Sequence, residues 1–164
     1  MRVFLLRHGL AEGWSMSGRD SDRALSPEGR DALRRAAPVY ARLIGQDPRI
    51  LASPLRRAQE TAALIAERTS GEVETGRDLL PEAPVSRAID LLARLKAGGE
   101  ATVLLVGHQP HLGQLLGALA TGIQRAAVPL ECGMLAGLEI DSSASMLGRL
   151  RCALGAEQAA ALFR

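Results

Sequence analysis

The chain has 164 residues, which suits one compact core and leaves little room for a second, so a single domain over 1–164 is expected. Hydrophobic residues at 47% and charged residues at 23% exclude a disordered or fibrous protein, and aromatic residues at 2% leave almost nothing to stack on single-stranded nucleic acid. The formal net charge is +2, with scattered arginines and a lone lysine at Lys96, so no basic tail or stripe points to nucleic acid or to a membrane.

The apolar run at 3–6 is too short for a signal peptide or a membrane span and reads as a buried strand, so a cytoplasmic location is expected. It ends at Arg7-His8-Gly9. A helix follows, with Ser26 as N-cap, Pro27 in its first turn, apolar Leu33, Ala36, Ala37, Tyr40, Leu43 and Ile44 on one face, and Gly45 as its stop. Pro38 should bend that helix near its middle. A second strand at 50–52 leads to Ser53-Pro54 and a helix over about 55–68. A third helix is expected over about 86–96, a strand at 102–106, and a fourth helix over about 111–121 before Gly122. Residues 134–140 and 147–154 flank a turn-rich stretch at 141–145 and read as a hairpin, with a short Ala-rich helix after it. The strands at 3–6, 50–52 and 102–106 are continuously apolar, as strands covered on both faces must be. The sum is a three-layer α/β sandwich with a mostly parallel central sheet. Cys132 and Cys152 are too far apart for a C-x-x-C motif and are expected to be reduced.

Ligands of parallel sheets bind at the carboxyl ends of the strands. Those ends carry Arg7-His8-Gly9, then Ser53 followed by Arg56 and Arg57, then Gly107-His108. A lone histidine at a strand end is more often structural than catalytic. Two histidines with two or more arginines, and no Asp, Glu or Cys cluster at ligand spacing, suit an anion better than a metal. Arginine matches phosphate oxygens in a bidentate manner. Gly9 and Gly107 could let backbone approach a ligand, or simply turn the chain.

Four segments carry a resemblance: Val3-Phe4-Leu5-Leu6-Arg7-His8-Gly9, Leu25-Ser26-Pro27-Glu28-Gly29, Ser53-Pro54-Leu55-Arg56-Arg57-Ala58-Gln59-Glu60-Thr61-Ala62, and Val103-Leu104-Leu105-Val106-Gly107-His108. In this order the chain resembles the histidine phosphatase superfamily, the Arg-His-Gly branch that includes phosphoglycerate mutases. The resemblance covers roughly the first 120 residues and implies a phosphoglycerate mutase-like fold. Within the family the chain is similar to the short SixA-type phosphohistidine phosphatases, in its small length, in the stretch Asp22-Arg23-Ala24-Leu25-Ser26, and in the short span after Thr61. Insertions that cap small substrates in other branches find no counterpart here.

The resemblance implies that His8 takes the phosphoryl group covalently while Arg7, Arg57 and His108 hold it, with Gly9, Arg23 and Gly107 at the substrate, and with neither metal nor cofactor. The general acid of the ester-cleaving relatives would fall on Glu82, which could equally be an exposed loop carboxylate; Glu12 is a reserve, and Leu10 stands where many mutase-like members carry an acidic residue or Gln. His111 opens a helix and is a further candidate substrate contact. The implied partner is a phosphorylated protein carrying a histidine phosphotransfer domain. A small phosphorylated metabolite is the alternative, and a non-catalytic phosphate-binding module is the reading that the retained His8, Arg57 and His108 oppose.

Overall fold

The computed structural model describes residues 1–123, 126–141 and 145–162. Among these, β1 (Arg2–Arg7), β2 (Arg49–Ala52), β3 (Val73–Thr75), β4 (Thr102–Gly107), β5 (Leu135–Glu139) and β6 (Arg149–Leu154) form one sheet in the order β3-β2-β4-β1-β5-β6. The first four are parallel; β5 runs against β1, and β6 against β5. The helices are α1 (Pro27–Ile44), α2 (Arg56–Thr69), α3 (Val85–Ala97), α4 (His111–Thr121) and α5 (Ala156–Leu162).

Alternation along the strands divides the core into two layers. Val3 and Leu5 of β1, with Val103 and Leu105 of β4, pack with Ala88 and Leu92 of α3 and Leu112, Leu115, Leu116 and Leu119 of α4. Their neighbours Phe4, Leu6, Leu104 and Val106 pack on the other face with Ala36, Ala37, Tyr40 and Ile44 of α1, with Ala58, Ala62 and Ile65 of α2, and with Ala156 and Ala159 of α5. All six residues of β4 are buried, so every side chain of that strand has helix above or below it. Each fully buried Leu, Ile or Val contributes about 1.5–3 kcal/mol, which makes β1 and β4 the anchor of the fold. The expected three-layer α/β sandwich is what forms.

Most elements agree with the sequence reading to within two residues. Ser26 caps α1 by accepting a hydrogen bond from Gly29 N–H at 3.1 Å, and Gly45, at φ 91°, closes its far end. Pro38 lies inside one unbroken helix, whose packing against α2 and α5 holds it together despite the missing donor. The strand β3 escapes sequence reading: it has three residues, none fully buried, and sits at the sheet edge with little apolar signal. The hairpin β5–β6 is present, while positions 142–144 of its expected turn lie outside the described residues. Among the described residues no helix is long and apolar enough to cross a membrane.

Candidate functional site

The chain leaves β1, crosses over α1 to β2, and returns through β3 to place β4 between β2 and β1. The tips of three strands therefore meet at one crevice. Backbone bonds continue past the strand ends and fix them together: His8 N–H donates to Gly107 O at 3.0 Å, and Ser53 N–H to Val106 O at 2.9 Å. From the other side Gly133 N–H reaches both Arg7 O (3.1 Å) and His8 O (3.0 Å), in a turn where Gly133 has φ 76°. The backbone of His8 is thus held by β4 on one side and by the turn leading into β5 on the other.

The His8 side chain is buried, and its Nδ1 lies 2.7 Å from Gly9 O. A carbonyl can only accept, so Nδ1 carries the proton and Nε2 of the neutral ring keeps a free lone pair. Burial pushes the His8 pKa down to about 4; the Gly9 carbonyl opposes this, and the charges of Arg57, Arg7 and Arg23 lower it further. The ring of His108 stands 5.0 Å from that of His8, centroid to centroid, at an interplanar angle of 54°. Its Nε2 is 2.8 Å from Ser53 Oγ, and its buried Nδ1 has no partner among the described residues. Burial, with help from His8 and Arg57, pushes the His108 pKa down to about 3.

Arg7 donates from Nη1 to Leu130 O at 2.7 Å, while its buried Nε has no partner among the described residues. Arg57, at 7% exposure, projects from the first turn of α2. That turn is tied to β1 through Thr61, whose Oγ donates to Arg57 O (2.7 Å) and accepts from Gly9 N–H (3.2 Å). Two neutral histidines and two guanidiniums with spare donors therefore share one crevice, a combination suited to an oxyanion.

The other expected residues fall in several places. Arg23 is held by Glu12 O through Nε (2.6 Å) and by Asp20 Oδ1 through Nη1 (2.8 Å). Gly9 and Gly107 are at the strand tips, but each is packed against protein: a Cβ on Gly9 would lie 2.6 Å from Leu33 Cδ1, and one on Gly107 3.3 Å from Leu112 Cγ. Close packing already accounts for both glycines. Glu82 is exposed in the segment between the 3₁₀ turn Arg77–Leu79 and α3; Leu79 O, near the position of a Gly107 Cβ, brings that segment beside the end of β4. Leu10 is exposed, and Glu12 contributes its backbone oxygen to Arg23. His111 does open α4, but it is 1% exposed and neither ring nitrogen has a partner among the described residues.

Three residues gain a place that sequence reasoning did not give them. Ser53 orients His108, and Thr61 links α2 to Gly9; they begin and end the recognisable Ser-x-x-x-Arg-Ala-x-x-Thr stretch. Asp20 is the third: its Oδ2 accepts from Arg57 Nη2 at 3.0 Å and its backbone oxygen from Arg57 Nη1 at 2.9 Å. Its only trace in the sequence is a position three before Arg23. Among the described residues no group of three or more His, Cys, Asp or Glu is gathered as a metal ion would require.

Comparison with known proteins agrees with this architecture. The profile of the histidine phosphatase superfamily, branch 1, matches residues 3–84. The chain belongs to that superfamily and is a phosphatase. Among individual proteins it is similar to the phosphohistidine phosphatase SixA of Escherichia coli, at 32% identity over 124 residues covering 74% of this chain and 76% of the relative. A SixA homolog of Haemophilus influenzae is 32% identical over 128 residues, covering 73% and 77%. The structure of the protein histidine phosphatase SixA complexed with tungstate superimposes with a TM-score of 0.85 at 26% identity, covering 95% of this chain and 97% of that one.

Proposed function

We propose that the protein hydrolyses phosphohistidine on another protein, through a covalent phosphohistidine on His8 and without a metal ion. The observation that carries the mechanism is the hydrogen bond from His8 Nδ1 to Gly9 O, which leaves the Nε2 lone pair for phosphorus. In the first step Nε2 forms a bond to phosphorus as the substrate's N–P bond breaks in line, and the partner's ring, already protonated on its other nitrogen, departs as neutral imidazole with the electron pair. Arg7, Arg57 and His108 surround the equatorial oxygens and take up their charge. In the second step water attacks the same phosphorus, the His8 N–P bond breaks, and inorganic phosphate leaves. If Ser53 Oγ donates to His108 Nε2, then His108 Nδ1–H is free to donate to the phosphoryl group.

The choice of phosphohistidine over an ester rests on the leaving group. The carboxylate in the site, Asp20, is held below the ordinary carboxylate range, first by its hydrogen bond to Arg23 and then by Arg57, so it is a poor proton donor at neutral pH. An alkoxide departing from an ester needs such a donor; an imidazole needs far less. The SixA relatives carry the same substrate in their names. The test is a parallel assay of a phosphorylated histidine phosphotransfer domain against a panel of sugar and nucleotide phosphates, with His8→Ala as control. Hydrolysis of the domain should exceed that of every metabolite in kcat/KM and vanish in the variant. Faster turnover of a small ester would promote the metabolite reading, and acid-labile phosphate trapped on His8→Ala would refute the nucleophile.

A further inference from the structure

Residues 12–24 leave the tip of β1 and return to it. The neck is closed by a bridge pairing Ala11 with Leu25 and by Glu12 N–H donating to Ala24 O at 2.9 Å. Polar ties hold the excursion together: Ser15 Oγ donates to Arg19 O (2.6 Å), Ser17 Oγ to Asp22 Oδ2 (2.5 Å), and Arg19 pairs with Asp22 at 3.1 Å. None of the residues 12–24 is buried, so no apolar packing fixes the segment in place and its displacement costs no core.

This excursion meets the crevice at Asp20. Its carboxylate spans two guanidiniums, with Oδ2 3.0 Å from Arg57 Nη2 and Oδ1 2.8 Å from Arg23 Nη1, while its carbonyl accepts from Arg57 Nη1. Arg57 is 7% exposed, and a buried guanidinium requires a counter-charge. The Asp20 side chain, 61% exposed, supplies that charge from the solvent side. A phosphoryl group would bring two negative charges to the same arginine, and two anions on one cation repel each other.

We propose that Asp20 is an internal counter-anion of the phosphate pocket, which an incoming phosphoryl group must displace, and that it sets the pocket's selectivity against free inorganic phosphate. The inference rests on the pocket assignment given under Proposed function. A phosphoryl group carried on a protein brings contacts outside the pocket that offset the displacement; free phosphate brings none. Asp20 thereby lowers product inhibition without touching the reacting atoms.

Calorimetric titration with orthophosphate and with orthovanadate, on the parent chain and on Asp20→Asn and Asp20→Ala, separates the possibilities. The asparagine variant removes the charge but keeps a side-chain oxygen as acceptor, and the alanine variant also removes both side-chain bonds to Arg57 and Arg23 while keeping the backbone carbonyl on Arg57. Both variants should bind each anion about three- to tenfold more tightly, the scale of a solvent-screened ion pair with a buried partner, and phosphate should inhibit their turnover at correspondingly lower concentration. Equal or weaker binding by both variants overturns the proposal and leaves Asp20 as a residue that orients Arg57. Absence of binding to parent and variants alike refutes the pocket assignment itself, and this inference with it.

Discussion

His8 must be neutral to attack phosphorus, and its surroundings keep it so well below the pH at which an ordinary histidine ionises. With a pKa of about 4, roughly nine-tenths of His8 remains neutral at pH 5, whereas a histidine at 6.5 would be about 3% neutral there. The same difference couples to folding. Above 6.5 the ring is neutral in both folded and unfolded chains and has no effect on stability. As the pH falls below 6.5 the unfolded chain takes up the proton first, so stability declines until about pH 4, where the folded ring is protonated too. The total corresponds to roughly 3 kcal/mol. The assay is an NMR titration of the ring Cε1–H signals, tractable because the chain has three histidines and each can be assigned by substitution. Direct observation avoids the substrate's own phosphate ionisation near pH 6, which would distort a rate profile. His8 and His108 should both titrate well below 5, and urea denaturation should show stability falling between pH 6.5 and 4. A His8 midpoint at 6 or above would refute the reasoning, because burial and three arginines would then have failed to disfavour the charge.

Ser53→Ala should leave His108 Nε2 unpaired inside the protein, losing about 1–3 kcal/mol in urea denaturation and lowering kcat; unchanged stability would mean the 2.8 Å contact is dispensable. Gly29→Ala places a Cβ 2.1 Å from Leu10 O and should destabilise by about 1–3 kcal/mol or more, despite the usual preference of helices for alanine; a rise in thermal midpoint would contradict the close approach. Glu82→Gln should reduce phosphohistidine turnover only modestly, whereas a loss of roughly a hundredfold or more on an ester that the parent cleaves well would make Glu82 a general acid. Activity should persist in EDTA, and a loss restored by Mg²⁺ or Zn²⁺ would exclude the proposed mechanism.

Local signals were enough for much of the architecture. The branched apolar runs marked β1, β2 and β4, because a strand covered on both faces must be apolar at every position. Ser26, Pro27 and Gly45 marked the ends of α1, because the unpaired donors and acceptors of a helix are satisfied by residues adjacent in sequence. Gly29 was legible as part of a motif, although only the structure shows its reason, the backbone of Leu10 lying where a side chain would be. The strand β3 was not legible, since a half-exposed edge strand of three residues has neither the length nor the burial to leave a pattern.

The sequence by itself determined the class of fold, the order of the elements other than β3, the places of His8 and His108 at strand ends, and that of Arg57 in the helix following a strand, because each depends on periodicity or capping within a few residues. The tertiary structure decided what those residues touch. That His108 is oriented by Ser53, 55 positions away, and that Arg57 carries Asp20, 37 positions away, follows from the placement of β4 between β2 and β1. The neutral state of His8 is likewise a tertiary property, since burial at the meeting of three strand tips displaces its pKa more than any neighbour in sequence does. Such contacts are set by chain crossings, which local patterns of hydrophobicity do not record.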